Sequence, residues 1–163
     1  MRMDKFTARF QAGLADAQSL AVGRDHATLE PAHLMLALLD QQGGTARPLL
    51  DKMGVALPTL RSRLGATLDR LPKVEGTPGE ISLSNDLNRL LNVTDKLAQQ
   101  RGDQFISSEL FLLAACEDRG ELGRAFKDAG VLKPVLDRAI DEVRGGEKVQ
   151  DANAEEARGA LDK

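Results

Sequence analysis

Apolar residues recur along this chain at steps of three and four, the spacing that lines one face of a helix. In "FTARFQAGLADAQSLAV", Phe6, Phe10, Leu14, Ala17 and Ala21 share such a face. Thr7 is placed to cap that helix, its hydroxyl accepting from an amide of the first turn. "PAHLMLALLDQQGG" predicts a second helix, with Pro31 in the first turn, where its missing N–H costs nothing, and Gly43-Gly44 as the stop. "TARPLLDKMGV" predicts a short third helix closed by Gly54, and "LPTLRSRLGATLDRL" a fourth. No run alternates long enough to predict a sheet; "QFIS" at 104–107 is the only short β-like piece.

The pattern then starts again. Phe6, Thr7, Phe10, Leu14 and Leu20-Ala21 match Leu83, Ser84, Leu87, Leu91 and Leu97-Ala98 at an offset of 77 residues. After a one-residue gap the offset is 76: "PAHLMLALLDQ" aligns with "SSELFLLAACE", "LLDKMGV" with "AFKDAGV", and Pro58, Leu60 and Leu64 with Pro134, Leu136 and Ile140. Caps, glycine stops and apolar positions all keep step. The expectation is an all-α protein of two four-helix repeats, about eight helices, packed with pseudo-twofold symmetry. The double repeat should span 1–146, as repeat one (1–71), an exposed, mobile connector "PKVEGTPGEI" (72–81) and repeat two (82–146). Residues 147–163 carry five acidic and three basic residues with few large apolar ones, which predicts a solvated helix or an exit linker.

Composition removes several function classes. The 163 residues carry a net charge of −3, without Trp or Tyr and with five Phe, so neither a basic footprint nor a stacking platform for nucleic acid is present. No apolar stretch approaches the ~20 residues of a membrane span. The opening MRMDKFTARF lacks the apolar core of a signal peptide. One cysteine, Cys116, excludes an intrachain disulfide and fits a reducing compartment, so cytoplasm is the expectation.

Candidate chemistry is sparse. His26 and His33 lack the Cys or His companions of a metal site. Cys116 lies on an apolar helix face and reads as a buried, inert thiol. Glu155-Glu156 read as a solvated charge pair. The repeats differ at one instructive place. Beside the core stripe of the first helix stand Gly13 and Asp16; at the matching places in the copy stand Leu90 and Val93, next to Leu97. Those side chains either fill the seam between repeats or, with Leu110, form an apolar groove for unfolded polypeptide. Each buried side chain there would contribute ~1.5–3 kcal/mol.

The duplicated unit, with "EPAHLMLALLD" and "SSELFLLAACE" as its halves, resembles the Clp amino-terminal repeat. Together with "LADAQSLA", "RGDQFISSELFLLAA" and the exit "RGGEKVQDANAEE", it is similar to the N-terminal domains of the ClpB disaggregase branch. The resemblance implies a substrate-binding domain on a homohexameric AAA+ ring, which extracts unfolded or aggregated polypeptides with the DnaK chaperone system. N domains of sister Clp proteins dock small adaptors, and an adaptor-docking or structural interaction domain of a Clp-family unfoldase is the alternative reading. Thr7, Asp103 and Glu109 match positions that the family ties to substrate handling; as residue types they also read as a cap, a turn and a first-turn anion. No GxxxxGK[ST] loop occurs, so neither catalysis nor a cofactor is expected of this chain, ATP and Mg belonging to the ring modules.

Overall fold

A computed structural model describes residues 3–75 and 81–155. Among them eight α-helices carry the fold: α1 (Ala8–Gly23), α2 (Pro31–Asp40), α3 (Ala46–Lys52), α4 (Leu57–Asp69), α5 (Asn85–Arg101), α6 (Ser108–Cys116), α7 (Glu121–Ala129) and α8 (Lys133–Arg144). Both expected caps form. Thr7 Oγ1 accepts from Phe10 N–H at 3.2 Å and its twin Ser84 Oγ accepts from Leu87 N–H at 3.1 Å. The buried face of α1 holds Phe10, Leu14, Ala17 and Ala21; that of α5 holds Leu87, Leu91, Thr94 and Ala98, as the periodicity requires.

The repeats are interleaved rather than laid side by side. Within each, the first helix packs on the second, and the second touches the third and fourth. Between them, α3 packs on α6 and α8, and its twin α7 packs on α2 and α4. Every such contact has its partner when α(n) is exchanged for α(n+4), which is the pseudo-twofold written in packing. The backbone repeats it. Ser84 N–H donates to Leu29 C=O at 3.0 Å, and Thr7 N–H donates to Ile106 C=O at 3.0 Å. Each repeat thus supplies an acceptor to the residue that caps the other's first helix, and neither half is closed alone. Phe10 of α1 also meets Phe111 of α6, ring centres 5.9 Å apart, at the centre of a single core.

A small sheet was not expected, and two-residue strands do form: β1 (Thr28–Leu29) pairs parallel with β2 (Ser82–Leu83). Strands this short leave no alternation to read. Ile106, inside the one β-like piece, makes a parallel bridge to Phe6. Residues 76–80, half of the connector, lie outside the described residues, but its start is tied down: Val74 N–H donates to Asp25 C=O at 2.8 Å.

Gly13 explains why the repeats differ beside their core stripes. A Cβ there would stand 2.6 Å from Leu38 Cδ2, so a side chain at residue 13 would have to displace Leu38 from between α1 and α2. In the copy the bulk is exchanged: Leu90 replaces Gly13 and Ala114 replaces Leu38, and both are buried. One large and one small residue fill each helix pair from opposite sides. Gly13→Leu alone should therefore overpack α1 against α2 and lower stability by about 1–3 kcal/mol. Adding Leu38→Ala should recover most of that loss in a urea-unfolding double-mutant cycle; additive losses would refute the exchange.

Candidate functional site

Two of the three polar positions singled out in the sequence meet around one arginine. Arg144 ends α8, continuing the i, i+4 stripe of Leu136 and Ile140, and its side chain is buried. Its Nε donates to Glu109 Oε1 at 3.1 Å, Nη1 to Asp103 Oδ1 at 3.1 Å and Nη2 to Ser107 Oγ at 3.2 Å. Nη2 also lies 2.9 Å from Asp103 Oδ2. Two buried carboxylates close together would repel, and the guanidinium between them removes that cost. Removing the cation would leave uncompensated buried charge, a loss of about 3–5 kcal/mol. Sequence reasoning passed over Arg144; a cation continuing an apolar stripe was the available signal.

Repeat one builds the same place differently. At the offset of 77, Asp103 corresponds to His26; at 76, Glu109 corresponds to His33 and Arg144 to Leu68. The correspondence holds in the backbone, since His26 N–H donates to Ala21 C=O and Asp103 N–H to the twin, Ala98 C=O. Asp25 and Gly102, preceding them, both have positive φ, 60° and 77°. In repeat one the two side chains bond directly: His26 Nδ1 lies 2.8 Å from His33 Nε2. His33 Nδ1 accepts from Glu30 N–H at 2.9 Å, so the His33 proton is on Nε2 and is donated to His26. His33 stands in the first turn of α2, and this bond gives it a partner. Burial, then the neighbouring His26 and Arg24, push its pKa down to about 4. His26 is lowered too, chiefly by burial, then by Arg24 and Lys73, with Asp25 and Glu30 opposing.

Thr7 belongs to a second buried cluster, and here an expectation fails. Glu155 is no solvated residue: it is fully buried. Thr7 Oγ1 donates to its carboxylate, as do Thr45 Oγ1 at 2.9 Å and Ser108 N–H at 3.1 Å. The N-termini of α1 and α6 meet there, and their unpaired amides favour an anion. Composition cannot foresee this, because the partners come from three distant stretches of chain. Burial raises the Glu155 pKa above the ordinary carboxylate range, as does the Glu109 charge, while bonds from Thr7 and Ser108 oppose. Glu156 lies outside the described residues.

The apolar candidates divide. Leu90 and Leu110 are in the core, 4% and 0% exposed, and so are not at the surface. Val93 and Leu97 are half-buried on α5 and reach the surface. A cleft of about 240 Å³ opens elsewhere, between α3, α6 and α8. It is lined by Thr45, Pro48, Leu49 and Lys52 of repeat one and by Glu109, Ile140 and Val143 of repeat two. Periodicity could not disclose it, since it arises only where the repeats cross. Cys116 is half-buried rather than fully buried as expected, its thiol pushed up to about 12 chiefly by burial. Among the described residues no group of three or more His, Cys, Asp or Glu could hold a metal, and no helix is long and apolar enough to cross a membrane.

The histidine pair makes stability depend on pH. Both pKa values are below the unfolded value of about 6.5, so the unfolded chain takes up protons first as pH falls. The pair's contribution is complete above about pH 6.5 and is lost as pH falls from there toward 4. Glu155, raised, acts in the opposite sense. The urea midpoint should fall between pH 6.5 and 5, where ordinary carboxylates stay ionised, and the slope should flatten in His33→Gln. A midpoint independent of pH in that window would contradict burial of the pair as neutral imidazoles.

Comparison with known proteins fits this arrangement. The chain is 55% identical over its full length to "Chaperone protein ClpB" of Vibrio vulnificus (strain YJ016), of which it covers 19%. It is 53% identical to the protein of the same name from Pseudomonas putida, again over all of this chain and 19% of the relative. The chain therefore spans about a fifth of the length of these curated relatives. The Hsp104 N-terminal domain from Candida albicans superposes with a TM-score of 0.80, at 23% identity, over 93% of this chain and 99% of that one. The ClpV N-domain in complex with a VipB peptide does so with 0.69, at 19% identity, over 88% and 89%. Residues 5–129 match the sequence model of the Clp repeat (R) N-terminal domain, and the chain belongs to that family.

Proposed function

We propose that this domain captures exposed apolar segments of unfolded or aggregated polypeptides for a disaggregating AAA+ ring. The inter-repeat cleft carries the reading. Its walls, Pro48, Leu49, Ile140 and Val143, are apolar, and Glu109, a residue tied by resemblance to substrate handling, is part of its lining. An open apolar cleft with few polar contacts suits weak, sequence-tolerant binding that must also release. Val93 and Leu97 on α5 are proposed as a second apolar contact. Asp103, and Thr7 beside Glu155, are proposed as polar contacts on the seam that adjoins the cleft. The absence of a phosphate loop from the sequence leaves ATP chemistry to ring modules, which we place, with their DnaK-type partners, in the cytoplasm. A tether to such a ring concentrates weak sites near its pore, so modest affinity is sufficient.

Val143→Asp introduces a second negative charge into the cleft at a half-buried position. It should weaken binding of a permanently unfolded, fluorescently labelled protein by about tenfold, about 1.4 kcal/mol, with helical circular dichroism unchanged. Leu97→Asp should weaken it less. Unchanged affinity in Val143→Asp would remove the cleft from the proposal, and unchanged affinity in both would remove apolar capture altogether.

A further inference from the structure

The chain does not leave the body where α8 ends. Gly145 and Gly146 both take positive φ, 59° and 87°, which glycine adopts at little cost, and the backbone turns back across the domain. It is then tied at successive points. Val149 N–H donates to Asp103 Oδ1 at 3.0 Å, and Val149 C=O accepts from Gln104 N–H at 2.8 Å. The Val149 side chain is 2% exposed. Ala152 C=O accepts from Ala8 N–H, an orphan donor of the first turn of α1, at 2.7 Å. Last comes the Glu155 carboxylate, held by the Thr7 and Thr45 hydroxyls and the Ser108 amide.

Placed this way, the segment lies on the residues that the functional proposal needs. Thr7, Ser107, Ser108 and Glu109 are all buried in its presence, and Asp103 is bonded to it directly. Thr45 both holds Glu155 and lines the cleft, so the segment borders the cleft as well. Its attachment is mostly backbone and polar, with one apolar anchor in Val149. A unit with few buried apolar contacts opens at lower free energy than the packed helices beneath it.

We infer that residues 147–155 are a strap over the polar seam of Thr7, Asp103 and Glu109, that Glu155 is its latch, and that polypeptide gains the seam when the strap lifts. This rests on the polypeptide-binding reading above and adds its regulation: the length of free tether and the accessibility of the site change together.

Two variants of the whole chain test it from opposite ends. Glu155→Gln keeps the shape but replaces one acceptor oxygen with a donor, so the three donors can no longer all be satisfied. Val149→Ser removes the apolar anchor and leaves the latch. In both, the Ala8, Gln104 and Ser108 amides should exchange with deuterium about tenfold faster or more, with helical circular dichroism retained. Affinity for the permanently unfolded probe protein should rise about three- to tenfold. Should Glu155→Gln fail to fold, Val149→Ser carries the test. Unchanged exchange in Glu155→Gln would overturn the latch. Faster exchange with unchanged or weaker probe binding would overturn the covering role while leaving the binding reading in place. No binding by wild type or either variant would overturn the polypeptide reading, and the strap's covering role with it.

Discussion

A guanidinium withdrawn from water has to be satisfied from several directions at once, and Arg144 achieves this at the end of α8 by collecting Asp103, Ser107 and Glu109. Much of the domain's polar geometry follows from that demand. The bonds fix the loop that leads into α6, and hence the Ser108 amide that receives Glu155. They also orient Asp103 so that its carboxylate can take the Val149 amide. The cleft sits next to the same cluster, with Glu109 in both. Because a broken buried ion pair costs several kcal/mol, these parts hold one arrangement rather than several.

Duplication supplies the frame on which this asymmetry is built. The backbone donors, the left-handed positions Asp25 and Gly102, and the hydroxyl N-caps of α1 and α5 correspond in the two repeats. The side chains at the corresponding place are not. Repeat one holds two neutral imidazoles sharing a proton, with Leu68 where repeat two has Arg144. The imidazole pair needs no counter-ion and closes on itself. The carboxylate pair needs a cation and leaves acceptor capacity over, which the chain's own strap uses. Symmetric packing thus carries a self-contained lock on one side and a chargeable, extendable seam on the other.

What the sequence disclosed was local. Phe10, Leu14, Ala17 and Ala21 reveal the buried face of α1 because a helix imposes its period on them, and Thr7 and Ser84 reveal the caps because orphan amides need an acceptor nearby. The duplication was legible because caps and stops keep their spacing. Contacts between distant segments were not. The His26–His33 bond spans a turn whose course periodicity does not specify, β1 and β2 are too short to alternate, and the cleft exists only where α3 crosses α6 and α8. Leu90 misled because its excess bulk is balanced by Ala114 in another helix. Glu155 misled because a carboxylate in a polar stretch is ordinarily solvated, and its partners stand at the starts of α1, α3 and α6.

The central claim is that polypeptide docks where α3 crosses α6 and α8, at the cleft that adjoins the charged seam. Paramagnetic broadening by a spin-labelled unfolded protein, read at each amide of this domain, tests that location directly. The account predicts broadening concentrated at Thr45, Lys52 and Val143, with the pseudo-symmetric crossing of α7 over α2 and α4, around Thr67 and Asp128, left sharp. Broadening equal at the two crossings, or confined to that of α7, would contradict it.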